Sequence, residues 1–214
     1  MQPLCITAYP RCGIECDQYL PIDGILFYEV MRRLNGPQIL TTPGRNPEAK
    51  VPQAGTWGLA KTEMDDVWFY AASFAQWGPN TEGRAQWNKR FDQRESYLVD
   101  FRGRRGKVIV EQGRYKAYHM PQFYRHALWV SWFVVGDRAQ IDSLLSTITH
   151  IGKKTAQGMG RINHWRVQPW HDDWSTYGES GRLMRAVPDA SGILYGVRPS
   201  YWDSRNQVLC RLPD

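Results

Sequence analysis

The stretch Ile151-Gly152-Lys153-Lys154-Thr155-Ala156-Gln157-Gly158-Met159-Gly160-Arg161-Ile162 gathers three glycines and three cations around Thr155 and Gln157. Glycine tolerates positive φ and lets the main chain approach a ligand closely, so successive N–H groups can turn toward one phosphate while Lys153, Lys154 and Arg161 supply charge. That composition suits a backbone-lined anion site with Gly152, Lys153, Lys154, Gln157, Gly158, Gly160 and Arg161 as its contacts. The plainer alternative, a helix C-cap at Gly152 followed by a solvated basic turn, needs one glycine rather than three. Two familiar phosphate loops are excluded by residue order. A Walker loop needs Gly-Lys-Ser/Thr after a strand and before a helix, whereas here Gly152 follows a helical pattern and Lys154 stands where the hydroxyl residue should be. The dinucleotide fingerprint fails on order as well.

A second concentration of charge lies upstream. Between Arg84 and Lys116 there are ten Lys/Arg and four Asp/Glu, an excess of +6 that equals the net charge of the whole chain. Within it, Tyr97 to Phe101 and Lys107 to Glu111 read as strand-like runs around Arg102-Gly103-Arg104-Arg105-Gly106, whose glycines suit a hairpin tip. A hairpin ending in arginines is poorly suited to burial. Arg102, Arg104, Arg105 and Lys107 are therefore read as a projecting arm gripping a phosphate backbone, with Tyr97, Phe101, Tyr115 and Tyr118 available to stack on bases. The same aromatics would serve equally as the arm's own small core, and the same cations as a solvated turn.

Other chemistry-bearing residues are more scattered. The cysteines are Cys5, Cys12, Cys16 and Cys210. They lack the paired two-residue spacing of a zinc site, so no metal or cofactor is expected and reduced thiols are the default. His150 and His164 flank the glycine-rich loop, and His119 and His126 lie near the return from the arm. A histidine near neutrality can be a general base or simply a packed or surface hydrogen-bonding group, and no spacing here forces two together.

The elements that must position these groups follow from periodicity. At 214 residues and 24.8 kDa the chain is long enough for a substantial core. Leu4 to Tyr9 alternates loosely and ends at Pro10, as a first strand does. Ile22, Leu26, Val30 and Leu34 share one helical face, with Asp23 as candidate cap and Asn35-Gly36-Pro37 as the stop. Gln38 to Lys61 reads as a loop or irregular insertion, and Asp66 to Ala75 as a short buried strand. Ala127 to Val135 is a continuous apolar run fit for the centre of a sheet. Asp137 and Gln140 form a capping box, followed by a stripe of Ile141, Leu144, Leu145, Ile148 and Ile151. Arg161 to Val167 reads as a strand. Two βαβ halves in this order predict an α+β fold, a single ferredoxin-like (RRM-like) βαββαβ domain over 1–214. Residues 77–126 form an inserted basic thumb between the middle strands, and 168–214 an irregular, Trp-rich C-terminal extension. With no apolar run of about 18 residues and no charged-then-apolar leader at Met1-Gln2-Pro3-Leu4, neither a membrane span nor a secretory signal is expected, and the chain is expected in the cytoplasm.

Leu20-Pro21-Ile22-Asp23-Gly24-Ile25-Leu26-Phe27-Tyr28, together with Gly152-Lys153-Lys154 and Gly158-Met159-Gly160-Arg161 after the second helix, resembles the repeat-associated mysterious proteins (RAMPs) of CRISPR effector complexes. With Cys210-Arg211-Leu212-Pro213 at the end, the chain looks most like the type IV subunit that caps the 5′ handle of the guide RNA. The resemblance implies a non-catalytic RNA-binding protein that holds crRNA beside a backbone-forming subunit, a large subunit and a helicase. The arm would correspond to the thumb of that family. Some relatives cleave precursor RNA without metal, moving protons with His, Tyr or Lys, so an endoribonuclease is the alternative. A nucleic-acid or acidic-protein binder outside CRISPR is a further one. Contact with target DNA beside the protospacer, through the arm or the Trp-rich tail, also stays open, since no residue pattern here reads bases.

Overall fold

The computed structural model describes residues 1–36, 50–101 and 106–214. Arg102, Arg104 and Arg105, and residues 38–49 of the Gln38 to Lys61 stretch, lie outside the described residues. The first strand is β1 (Gln2–Pro10), followed by helix α1 (Ile22–Asn35). A small hairpin of β2 (Lys61–Met64) and β3 (Val67–Tyr70) precedes the two-residue β4 (Gln76–Trp77). A long hairpin of β5 (Asn80–Lys89) and β6 (Tyr118–Ala127) then leads to β7 (Val130–Gly136), α2 (Arg138–Leu145) and β8 (Ile162–Pro169). The chain closes with a hairpin of β9 (Val187–Gly196) and β10 (Gln207–Arg211). The architecture is α+β, with two α-helices and several antiparallel sheets among the described residues.

The principal sheet has the order β4-β7-β1-β8, antiparallel throughout. Strand alternation divides its side chains between two faces. Leu4, Ile6 and Ala8 of β1, with Val130, Trp132 and Val134 of β7, join Leu26, Val30 and Met31 of α1 and Ile141, Leu144 and Leu145 of α2 in one core. Burying a side chain such as Leu26 contributes roughly 1.5–3 kcal/mol, which is what holds both helices on this face. Trp132, fully buried, is satisfied by donating Nε1–H to the Leu20 carbonyl at 2.8 Å. That bond fixes the chain where it enters α1.

Local signals behave as their chemistry dictates in most places. Asp137 accepts from the Gln140 amide at 2.9 Å and opens α2. Gly36, at φ 84°, ends α1 by donating to the Arg32 carbonyl at 2.9 Å. Asp23 does not cap α1. Pro21 holds the cap position without a side-chain bond, and the Asp23 carboxylate turns inward and is fully buried. Helix α2 stops at Leu145, so Gly152 is not its C-cap, although Ile148 and Ile151 still pack inward from the loop.

The basic hairpin differs from the expected one. Residues Gln93–Leu98 form a 3₁₀ helix, and no strand spans 107–111 among the described residues. The ladder lies further out in sequence, pairing β5 with β6 in unbroken register from Asn80↔Ala127 to Lys89↔Tyr118. Gly83, Ala85 and Trp87 alternate as half-buried positions between exposed polar ones. That period identifies a strand with one wet face, but glycine and alanine make it weak in sequence.

Candidate functional site

The glycine-rich loop is built on the segment that links β1 to α1. Gly160 donates to the Gly13 carbonyl at 2.8 Å, Lys153 to Glu15 at 2.6 Å, and Arg11 to Arg161 at 2.7 Å. Cys12 bridges the two chains: its thiol donates to the Gly158 carbonyl at 3.1 Å, and its sulfur accepts from the Arg161 amide at 3.2 Å. Two glycines are required sterically. A Cβ on Gly160 would sit 1.8 Å from the Ile151 carbonyl oxygen, and one on Gly152 would sit 2.5 Å from that of Glu15, both at positive φ.

These bonds change how the loop could meet an anion. The amides of Lys153, Gln157, Gly158, Met159, Gly160 and Arg161 all donate within the protein. These six are engaged in folding the loop rather than lined up toward a ligand, which narrows the expected amide-lined cradle to Gly152, Lys154, Thr155 and Ala156. The loop also presents side chains outward. Lys154, held at φ 56°, and Arg161 are exposed and carry no ion pair among the described residues. Lys153 is also exposed but pairs with Asp17.

The two stretches singled out in the sequence meet at one cavity. Pro21, Gly24, Ile25 and Tyr28, at the start of α1, face Gly152, Lys153, Thr155 and Ala156 of the loop across a space of about 830 Å³. His150 joins them, its Nδ1 lying 2.9 Å from the Thr149 hydroxyl. Tyr19, Tyr195 and Tyr201 complete the wall. Sequence reasoning missed the last two as site residues, because they come from the C-terminal extension and nothing local marks them.

The tyrosines are held by buried chemistry. Tyr201 donates to Asp23 Oδ1 at 2.5 Å, and the Gly24 amide donates to the same oxygen at 3.0 Å. Burial pushes the Asp23 carboxyl up, against the nearby Arg185 guanidinium and these hydrogen bonds, and burial pushes the Tyr201 phenol well up. Arg185, fully buried, donates to the carbonyls of Tyr70, of Ala72 at 2.9 Å and of Val197 at 2.5 Å. It thereby staples the β3 region to the extension. Burial, then the neighbouring Tyr19, raises Tyr195 to about 12. The Tyr195 and Tyr201 phenols therefore keep their protons at neutral pH, and Tyr201 donates its proton to Asp23.

Below α1, Glu29 is locked. Burial would push its carboxyl up, but bonds from Arg32, Thr147 and Arg33 outweigh that and hold it at about 2. Arg32 reaches it at 2.7 and 2.8 Å, Arg33 at 2.8 Å and Thr147 at 2.7 Å. Glu29, Arg32 and Thr147 form the polar floor of the cavity.

The hairpin of β5 and β6 is rooted beside the loop. Ile14 and Arg125 exchange backbone bonds at 2.9 Å, and the Tyr124 ring packs against Gly13 and Gly83, where a Cβ would lie 2.4 Å from it. On the same face, the Gln122 carboxamide donates to Gln157 of the loop. Further out on this face the Trp87 and Tyr118 rings stack with centroids 6.4 Å apart, with Lys89 and Lys116 over Tyr118 at 5.9 and 5.6 Å. Of the other arm aromatics, Tyr115 packs against Phe91 at 5.0 Å and Phe101 lies over Gly106, while Tyr97 is 80% exposed. Lys107 is exposed but is not placed on the paired strands.

The glycine-rich loop and the start of α1, the two stretches that resemble those of RAMPs, line one cavity in a mixed α+β protein. The chain belongs to the family of the CRISPR type IV associated protein Csf3, whose model matches residues 22–213. The match takes in both motif stretches from Ile22 onward, so the resemblance read from them holds at the level of a type IV CRISPR-associated protein. No curated protein matches the chain. No helix among the described residues is long and apolar enough to cross a membrane.

Proposed function

We propose that this chain is a non-catalytic, RNA-binding subunit of a type IV CRISPR effector complex, and that it binds and caps the 5′ handle of the crRNA. The observation that carries this reading is the convergence of the Leu20 to Tyr28 stretch and the glycine-rich loop on one open cavity rimmed by Lys153 and tyrosines, with Lys154 exposed on the adjoining loop residue. Cations at the rim neutralise phosphates, and phenol faces and hydroxyls take bases and sugars. The strand order β4-β7-β1-β8 with both helices on one face supports a ferredoxin-like core in which the two-residue β4 stands in for a full edge strand. On this reading the hairpin of β5 and β6 is the thumb, continuous with the loop through Gln122 and Gln157. The neighbours expected from the family are a backbone-forming subunit, a large subunit and a helicase.

The non-catalytic reading is supported by His150 being the one histidine lining the cavity among the described residues, since a general acid and base pair needs two proton-transfer groups within reach of the reacting atoms. The test is incubation of the purified chain with repeat RNA in EDTA. Intact RNA bound with a steep salt dependence is expected, whereas a discrete product with a cyclic phosphate end would replace the reading with the endoribonuclease alternative. For the handle site itself, Lys153→Ala with Lys154→Ala should flatten the salt slope of binding by about one to two units. An unchanged slope in the folded double variant rejects the loop as a phosphate contact.

A further inference from the structure

The hairpin of β9 and β10 packs inward on one face and leaves the other in solvent. Tyr195 pairs with Val208, and both side chains pack with Phe69 and Phe74. Alternation sends the next pair, Leu194 and Leu209, to the opposite face. Gly196 and Gln207 form the following row on that face. A Cβ on Gly196 would lie 2.4 Å from the Tyr201 carbonyl oxygen, and the Gln207 carboxamide donates to the same oxygen at 3.2 Å. The turn that carries Trp202 therefore borders the leucine pair. Ile193, Leu194, Trp202 and Leu209 are 60, 65, 56 and 47% exposed. They leave roughly 400 Å² of apolar surface in one place, within the range where a monomer's largest patch is often functional.

The edge of this hairpin is open as well. Val197 donates to the Asn206 carbonyl at 2.9 Å, and antiparallel bonds alternate along a ladder. The main-chain groups of Val208 thus face β9, while those of Gln207 and Leu209 face away from it. Among the described residues β10 has β9 as its one strand partner, and no other segment bonds the Gln207 or Leu209 main chain. Proteins protect such edges with proline, bulges or charge within the strand. β9 has Pro188 and a register break opposite Leu209 and Cys210. β10 is regular over 207–209 and has its charges at the ends, Arg205 just before it and Arg211 at its close. Their acidic neighbours, Asp203 and Asp189, are much less exposed than the guanidiniums, so the surface presented at both ends is cationic.

We infer that the β10 edge takes a strand from a partner protein, an extended segment with apolar residues at alternate positions and acidic residues at its ends. The main chain of that segment bonds Gln207 and Leu209, and its apolar side chains cover Leu194, Leu209 and Trp202. Its carboxylates meet Arg205 and Arg211, which stand about 20 Å apart along the strand. A second copy of this chain fits less well. A stable dimer buries about 800 Å² on each partner, twice the apolar area present, and pairing β10 with itself would gather four guanidiniums on one ribbon. The apolar face is turned away from Tyr195, which lines the handle cavity, so this surface stands whether or not the handle site is correctly assigned.

The experiment uses the whole chain and a synthetic peptide of about ten residues that alternates Ile and Thr between two Glu at each end. A copy of the peptide N-methylated at alternate positions lacks the donors needed to add a strand. Anisotropy titrations are combined with amide exchange followed by NMR. The peptide should slow exchange at Gln207 and Leu209 by about tenfold and leave Val208, already bonded to β9, unchanged. Its affinity should fall with salt. Leu194→Ser with Leu209→Ser, both exposed positions, should weaken it about tenfold. Exchange in the parent chain decides the case even if the double variant folds poorly. Absence of binding at about 1 mM peptide, equal binding of the N-methylated copy, or undiminished affinity in the folded double variant overturns the site. Amides slowed by single-stranded RNA and not by the peptide would assign the edge to nucleic acid, and a concentration-dependent dimer lost in the double variant would assign it to a second copy. Either result overturns the partner strand.

Discussion

The Tyr201 hydroxyl donates to Asp23 Oδ1 across 178 residues of sequence, at 2.5 Å. It joins the first turn of α1 to the C-terminal extension at a carboxylate whose other oxygen, Oδ2, is buried without a hydrogen-bond partner among the described residues. The extension is thus part of the cavity's construction rather than an appendage to it.

Tyr201→Phe should destabilise the chain by about 1–3 kcal/mol, since it leaves a buried acceptor short of its donor. The sign with pH follows from burial having already raised the Asp23 carboxyl. A raised folded-state pKa means that Asp23 opposes folding progressively as pH rises through that value. Losing the hydroxyl raises the value further, so the deficit against the parent should be larger at pH 7 than in acid. Urea melts of both chains at pH 7 and 4.5 measure this, and a deficit independent of pH would separate Asp23 from the effect.

Glu29 gives the opposite dependence. Its carboxyl is held at about 2 against an ordinary 4.5, so its contribution is full above pH 4.5 and is lost as pH falls through about 2. Glu29→Gln should cost about 2 kcal/mol at neutral pH and should flatten the acid limb of the stability curve between pH 4.5 and 2. Chemical denaturation at stepped pH provides the comparison.

Within the loop, Gly160→Ala and Gly158→Ala should part company. A methyl at Gly160 meets the Ile151 carbonyl, whereas one at Gly158 meets nothing within 4 Å and bears only the cost of φ 88°. That cost is about 1–2 kcal/mol. Gly160→Ala should therefore lose RNA binding along with loop structure, and Gly158→Ala should keep both with a modest drop in Tm. Amide hydrogen exchange across 151–162 distinguishes the two.

Asp17→Asn tests the charge balance at the rim. Asp17 pairs with Lys153, so removing its charge frees a cation for phosphate. RNA affinity should rise by about two- to fivefold at low salt and converge with the parent at high salt, since an exposed pair is worth about 0.2–1 kcal/mol. Titrations at two salt concentrations suffice.

What the sequence disclosed depended on how local the determinants were. The apolar period of Ile22 to Leu34, the Asp137 cap and the continuous run before Gly136 each rest on neighbours a few residues apart, and α1, β7 and the start of α2 lie where those patterns put them. The glycines of the loop were legible as unusual, yet their purpose was not. Whether an amide points outward or toward Gly13 depends on a segment about 150 residues away. The arm's strands were misplaced within it because Tyr97 to Phe101 looks like a strand by composition, whereas Asn80 to Lys89 becomes one only by pairing with Tyr118 to Ala127. The cavity wall from Tyr195 and Tyr201 had no signal at all, because its determinant, the buried Asp23, resembled a helix cap.

Because six of the loop's amides, from Lys153 and from Gln157 to Arg161, are turned inward to carbonyls and a thiol, its contour and its electrical character are written in different residues. Gly152, Gly160 and Cys12 set the contour, while Lys154 and Arg161 set the charge. Selection could therefore exchange the cations to follow a changing guide strand, in strength or in pattern, without redrawing the loop that carries them.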